Sequence, residues 1–422
     1  MLEEPEVSAE VFDETAPLQG LMVWGEPGCE ALLGQLLPKS KSLFRSYYEV
    51  PEAREEFKRM QALIEREGVK VIRAKDAFAE SLPGKPMPDL PADLAELERR
   101  LIRRADEYFE SYRTEKIQEI AHASPQPGIE DIFVQVKQDF RKVLREDAQH
   151  YGEPAAIRLN YVLSLSRELP IANIFYGRDQ ANALGNQILL SSMRWDIRKP
   201  EIGIYKAALL EMGYGKCLVE IDRGTAEGGD IMLFGDTCYI GVGSRTTTVA
   251  ARDIYEKIGT HLEAHGLRMV AVVNERHEME SAALTSPSEE QMPVMHLDMF
   301  WIPLENGLVL AYAGEVDQRY ALLFTRKQGE VVTQNLGSFE NYLKGRNITV
   351  LEVTSQEQKD FAINLLNLGN KRVIVPLSKN RRVIAELKNH GFTVFEAELN
   401  KLVGGYGAVH CLTAPIRRKL ID

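Results

Sequence analysis

Leu63-Ile64-Glu65-Arg66-Glu67-Gly68-Val69-Lys70-Val71 packs a helix end, a glycine and a strand start into nine residues. Upstream, Pro51 opens the helix, Glu52, Glu55 and Glu56 follow, and Phe57, Met60 and Ile64 fall on one face. Gly68 supplies the left-handed residue that stops a helix, and the strand follows at once. The same phrase returns as Leu209-Leu210-Glu211-Met212-Gly213 before Cys217-Leu218-Val219, and as Leu262-Glu263-Ala264-His265-Gly266 before Met269 to Val273. Leu343-Lys344-Gly345 before Ile348-Thr349-Val350 is a fourth copy, and Leu387-Lys388-Asn389-His390-Gly391 before Phe392-Thr393-Val394 a fifth. Any α/β chain repeats helix, glycine and strand; five copies in order point further, to a cyclic repeat whose units bury their faces against one another.

Residues 76–165 do not fit the repeat. A connector holding Pro83, Pro86, Pro88 and Pro91 leads into helical spacing at Leu94, Leu97, Leu101, Ala105 and Phe109, and again at Ile132, Val136, Phe140 and Leu144. This predicts an inserted helical bundle that divides the α/β part into residues 20–75 and 166–422. Residues 1–19, acidic and without periodicity, read as a flexible leader.

With 51 basic and 62 acidic side chains the formal net charge is -11, which opposes phosphate backbones, and no basic stripe interleaved with aromatics reverses this. Nucleic acid is therefore excluded as a partner. No apolar run reaches the ~20 residues of a membrane span, and the acidic start is unlike a secretory signal. The four cysteines, Cys29, Cys217, Cys238 and Cys411, form no CxxC pair, and the eight histidines no HExxH. A reducing cytoplasmic setting and no metal are the expectations.

Unusual polar residues stand in Phe175-Tyr176-Gly177-Arg178-Asp179, Ala226-Glu227-Gly228-Gly229-Asp230, Met295-His296-Leu297-Asp298 and Gly404-Gly405-Tyr406-Gly407-Ala408-Val409-His410-Cys411, with Arg198 and Arg245 following the first two. Composition makes residues 293–302 a strand, which sends His296 and Asp298 out of one face. Each also has a plain structural reading: His296 with Asp298 as a buried ion pair, Glu227 as a turn carboxylate, Cys411 as a small core residue. Together they have a chemical logic. A thiolate attacks an electrophilic carbon, a histidine moves protons, and carboxylates hold a planar cation with many donors, which describes guanidinium.

The chain resembles the arginine deiminase and amidinotransferase superfamily, nearest to arginine deiminase, from about Gly20 onward. The motifs are Asn173 through Phe175-Tyr176-Gly177-Arg178-Asp179, Glu227-Gly228-Gly229-Asp230, His296-Leu297-Asp298 and the glycine-rich run ending in His410-Cys411. The resemblance implies a five-bladed, pseudo-fivefold α/β propeller, the pentein fold, with a helical insertion. It implies Cys411 as nucleophile, His296 as general acid and base, Asp179 and Asp298 as guanidinium-binding carboxylates, and Glu227 as a third carboxylate. Asn173, Tyr176, Arg198, Arg245 and Tyr406 fall at substrate-binding positions. No cofactor is implied; the partner is a small guanidino compound, arginine first, and association of like chains is left open.

Three departures stand out. Tyr406 occupies the place of an arginine that contacts the substrate α-carboxylate in that family, Ala408 and Val409 interrupt the glycine run, and Gln180 replaces a proline. Hydrolysis of arginine to citrulline and ammonia leads. Amidino transfer to an amine, dihydrolysis to ornithine and non-catalytic binding are the alternatives.

Overall fold

A computed structural model of the chain describes residues 8–121, 127–376 and 379–419. Among the described residues the strands form five separate sheets, and all five repeat one three-strand plan. In each, a first strand runs antiparallel to the central one, and a third lies parallel to it on the other side. The second sheet shows the plan plainly: Ala181–Leu184, Gln187–Leu190 and Leu218–Glu220. The third uses Ile231–Phe234, Thr237–Val242 and Arg268–Val273, the fourth Trp301–Glu305, Leu308–Ala311 and Thr349–Glu352, and the fifth Leu366–Gly369, Arg372–Pro376 and Thr393–Ala397. The first sheet borrows its antiparallel strand from the far end of the chain: Ala414–Arg418 pairs with Leu18–Val23, whose parallel partner is Lys70–Arg73.

A parallel pair needs a crossover, and each sheet has a helix in that place: Val50–Arg66, Lys199–Glu211, Thr248–Ala264, Phe339–Gly345 and Arg381–Asn389. All five helices stop in the same way. The amide three residues past the helix turns back to a carbonyl five residues earlier, as in Val69 to Ile64, Tyr214 to Leu209, Leu267 to Leu262, Ile348 to Leu343 and Phe392 to Leu387. This is the Schellman arrangement, which needs a left-handed residue just before that amide. Gly68, Gly213, Gly266 and Gly391 fill that place with φ between +76° and +86°. In the fourth unit the residue is Asn347 at φ +57°, while Gly345 ends the helix. The third sheet is extended by the hairpin Tyr320–Lys327 and Glu330–Ser338, inserted before the fourth helix.

Between the first and second units lie the helices Ala74–Glu80, Leu94–Ala121, Ile129–Tyr151 and Glu153–Ser164. Leu97, Leu101, Ala105, Ile132, Val136, Phe140 and Leu144 are buried, and Phe109 stacks on Phe133 at 4.2 Å. Arg54 ties the first crossover helix to them through Glu146 and Asp147 at 2.9 and 2.8 Å. No helix among the described residues is long and apolar enough to cross a membrane.

Two expectations are corrected. Residues 8–19 are packed: Ala9 and Val11 are buried, Leu18 already belongs to a strand, and buried Glu14 bridges Arg178 and Arg418, each at 3.0 Å. Residues 1–7 of the expected leader lie outside the described residues. Residues 293–302 are mostly not a strand, because short 3₁₀ turns at Met292–Val294 and Leu297–Met299 come first and pairing begins at Trp301.

Candidate active site

The polar residues that gather inside the molecule share one topological position, the approach to the first strand of each unit. Cys411 precedes Ala414–Arg418, Asp179 precedes Ala181–Leu184, Glu227 precedes Ile231–Phe234, and His296 with Asp298 precedes Trp301–Glu305. The fifth unit contributes Asn364, ahead of Leu366–Gly369. Asp179 thus stands just before its strand. Close backbone approach joins these segments: the Arg178 amide donates to the Cys411 carbonyl at 3.0 Å, and the Gly228 amide to the Asp179 carbonyl at 3.1 Å. A Cβ at Gly228 would strike the Arg178 carbonyl, and one at Gly229 would crowd the His296 ring.

Around the thiol, Asp298 Oδ2 lies 3.7 Å from Cys411 Sγ and accepts from His410 Nδ1 at 2.7 Å. Asn364 Nδ2 sits 3.1 Å from the same sulfur. On the other side His296 Nε2 contacts Glu227 Oε2 at 3.0 Å, and its Nδ1 faces Asp179 Oδ1 at 3.6 Å. Cys411, His296, Asp298, Asp179 and Glu227 are all buried. Three of their polar atoms, Asp179 Oδ1, Asp298 Oδ1 and His296 Nδ1, have no hydrogen-bond partner. Buried polar atoms left unpaired are costly, and here the two carboxylate oxygens mark where a ligand's donors fit, while protonated His296 Nδ1 is itself a donor.

Charge sets the protonation states. Burial disfavours the His296 imidazolium, but Asp179, Glu227 and Asp230 outweigh it and hold the pKa up at about 10. Burial, Asp298 and Asp179 push the Cys411 thiol well above its ordinary value. Asp298 resists burial through the His410 hydrogen bond and stays below the usual carboxylate range. Burial lifts Asp230 to about 7, although it accepts from Thr246 Oγ1 at 2.6 Å and the Leu297 amide at 2.8 Å. The site therefore holds a neutral thiol beside anionic Asp298 and Glu227 and a protonated histidine.

Arg198 and Arg245 are also buried here. Arg198 reaches Asp179 Oδ2 at 2.7 Å and clasps Glu201 with two nitrogens, and Gln180 braces Glu201 at 2.6 Å. Arg245 joins Glu227 at 2.9 Å and Glu290 at 2.6 Å. Asp179, Glu227 and His296 bring potential ligand atoms within 4.8 Å of one another, yet the two guanidinium groups already neutralise these carboxylates and would repel a metal ion. The remaining expected residues lie further out. Tyr176 donates to the Leu402 carbonyl at 2.8 Å and walls the glycine run, where a Cβ on Gly407 would press on both its ring and Cys411. Asn173 is spent on the Ser42 carbonyl at 2.6 Å. Tyr406 packs edge-on to Phe361, 5.9 Å between centroids.

Sequence reasoning missed Asn364, Glu201 and Glu290. Asn364 was reachable by asking what the fifth unit places where the other four place a polar residue, and Glu201 by its spacing of three from Arg198. Glu290, 45 residues from Arg245, left no local signal.

Comparison with known proteins agrees with this geometry. An arginine deiminase of Halobacterium salinarum is 24% identical over 321 residues, covering 60% of this chain and 66% of that protein. One from Mycobacterium avium is 22% identical over 423 residues, covering 94% and 95%. The structure of an amidinotransferase from Microseira wollei superposes with a TM-score of 0.52 at 17% identity, covering 98% of each chain, a likeness of fold. Residues 40–418 match the arginine deiminase family model, and the chain belongs to that family.

Proposed function

We propose that this protein hydrolyses the guanidino group of arginine to citrulline and ammonia through a covalent thiouronium at Cys411. The observation that carries this reading is the set of unpaired oxygens on Asp179 and Asp298 flanking a buried thiol. A guanidinium entering there gives each oxygen an N–H donor and presents its carbon to sulfur. Its positive charge also offsets the burial and carboxylates that hold the thiol neutral, so substrate arrival favours the thiolate, the thiol proton passing to solvent. His296, protonated at neutral pH, donates to the departing nitrogen; once neutral, it takes a proton from the water that attacks the thiouronium carbon, and the C–S bond breaks to release citrulline and return Cys411 as the thiolate. Glu227 orients the His296 ring. Arg198 and Arg245 hold Asp179 and Glu227 in place and face the remainder of the substrate.

The same reading closes the five units into a propeller ring, with residues 76–165 as an inserted helical part and the cytoplasm as the setting. The test is purified protein with arginine, with and without glycine, assayed for citrulline, ammonia, ornithine and guanidinoacetate, with mass spectrometry of acid-quenched protein. The expected result is citrulline with ammonia in equal amounts and an adduct on Cys411. Guanidinoacetate with glycine would make the protein a transferase, ornithine without citrulline a dihydrolase, and undiminished turnover by Cys411→Ala would overturn the covalent route.

A further inference from the structure

Seven non-glycine residues among those described have a left-handed backbone. Gln328, Asn347, Asn370 and Lys371 lie in hairpin turns or at a helix end, where such conformations are ordinary. Leu43, Phe361 and Tyr406, at φ +61°, +61° and +82°, also follow short helices, Lys39–Ser42, Ser355–Lys359 and Leu402–Gly405, but carry large apolar or aromatic side chains. Bulky side chains pay for this conformation, which persists only where the surroundings enforce it, and it concentrates at functional sites. These three converge on one place. Phe361 and Tyr406 pack edge-on, and the Arg45 guanidinium lies over both rings, 5.6 and 5.7 Å from their centroids. Leu43 turns the chain two residues before Arg45, whose amide, with that of Ser46, is pinned to the Gly404 carbonyl at 2.7 and 3.1 Å.

This cluster adjoins the thiol. Tyr406 is bonded to Gly407, at which a Cβ would lie 2.9 Å from Cys411 Cβ. Among the described residues Arg45 has no carboxylate within ion-pair distance, and its side chain donates to the Lys359 carbonyl at 3.2 Å. Arg198 and Arg245, by contrast, are neutralised by three and two protein carboxylates respectively. An exposed guanidinium steadied against aromatic faces keeps its edge free for two parallel hydrogen bonds to a carboxylate.

We infer that Arg45, held by Phe361 and Tyr406, is a specificity-determining residue that binds the carboxylate at the end of the substrate remote from the reacting carbon. The inference rests on the guanidino reading of the site. Its test is calorimetric binding in the non-turning Cys411→Ala protein, using L-arginine and agmatine, which differ in that carboxylate. Arg45→Ala should weaken arginine by about tenfold or more and agmatine by less than about twofold, and Arg45→Lys should recover part of the loss because it keeps charge without the fork. Equal weakening of both ligands, or of neither, would overturn the role of Arg45 while leaving the guanidino site standing. If the Cys411→Ala protein with Arg45 intact binds neither ligand, the guanidino reading and this inference fall together.

Discussion

Asn364 holds Cys411 at two points: its Nδ2 lies 3.1 Å from the sulfur, and its Oδ1 accepts the Cys411 amide at 3.2 Å. Because Oδ1 also accepts the Ala408 amide at 3.0 Å, flipping the side chain would set NH₂ against two donors, so the NH₂ must face sulfur. Asn364→Ala should cost about 1–3 kcal/mol of stability and lower kcat by about 100-fold, read by urea denaturation and steady-state assay. Asn364→Asp should slow iodoacetamide labelling of Cys411 beyond the Ala variant, since it adds negative charge beside the thiol. Labelling at the wild-type rate in both would remove Asn364 from any role at the sulfur.

Cys411 itself should show the high thiol pKa that burial, Asp298 and Asp179 impose. Without substrate its alkylation should be slow near neutrality and keep rising with pH past the range where an ordinary thiol levels off, following the thiolate. Millimolar guanidinium ion, far below denaturing levels, should accelerate it at pH 7. Peptide mass spectrometry locates the label; a rate indifferent to both pH and guanidinium would contradict the electrostatic account.

His296 predicts a sign for stability against pH. Its pKa is raised from 6.5 to about 10, as burial is outweighed by Asp179, Glu227 and Asp230. A pKa higher in the folded state adds stability that is complete below the unfolded value and is lost as pH rises through the folded one. The melting temperature should fall between pH 6.5 and 10, and more gently in His296→Gln. An equal fall in both proteins would assign the effect to other groups.

Removing Arg245 takes the close guanidinium partner from two buried carboxylates, leaving Glu227 to His296 and Glu290 with the Trp195 indole N–H. The expected loss for Arg245→Ala is about 3–5 kcal/mol, and Arg198→Ala should behave alike through Asp179 and Glu201. Chemical denaturation checks both. Unchanged stability would show that these arginines are not needed to offset the carboxylates.

Gly228→Ala tests the close approach of backbone to backbone. Its Cβ would meet the Arg178 carbonyl, which cannot rotate aside. Asp179 and Glu227, on either side of the clash, should shift, abolishing turnover and lowering the melting temperature, whereas Gly203→Ala, with open space around it, should leave activity intact.

What could be read in the sequence was local. The Schellman stops were visible because a left-handed residue after a helix demands glycine; the fourth unit misled because Asn347 serves as well, and Gly345 drew the eye. The apolar run around His296 looked like a strand, but pairing awaited Trp301 and the turns before it aim His296 and Asp298 at different partners. Glu290 and Asn364 acquire meaning only from residues 45 and 47 positions away.

The strand Ala414–Arg418 starts three residues after Cys411 and is zipped to Leu18–Val23, with Met22 opposite Ala414. Whenever that seam opens, the sulfur loses its anchorage, so the population with the seam shut is a ceiling on the population able to react. Amide hydrogen exchange along Leu21 and Met22 therefore gauges competence without any substrate present.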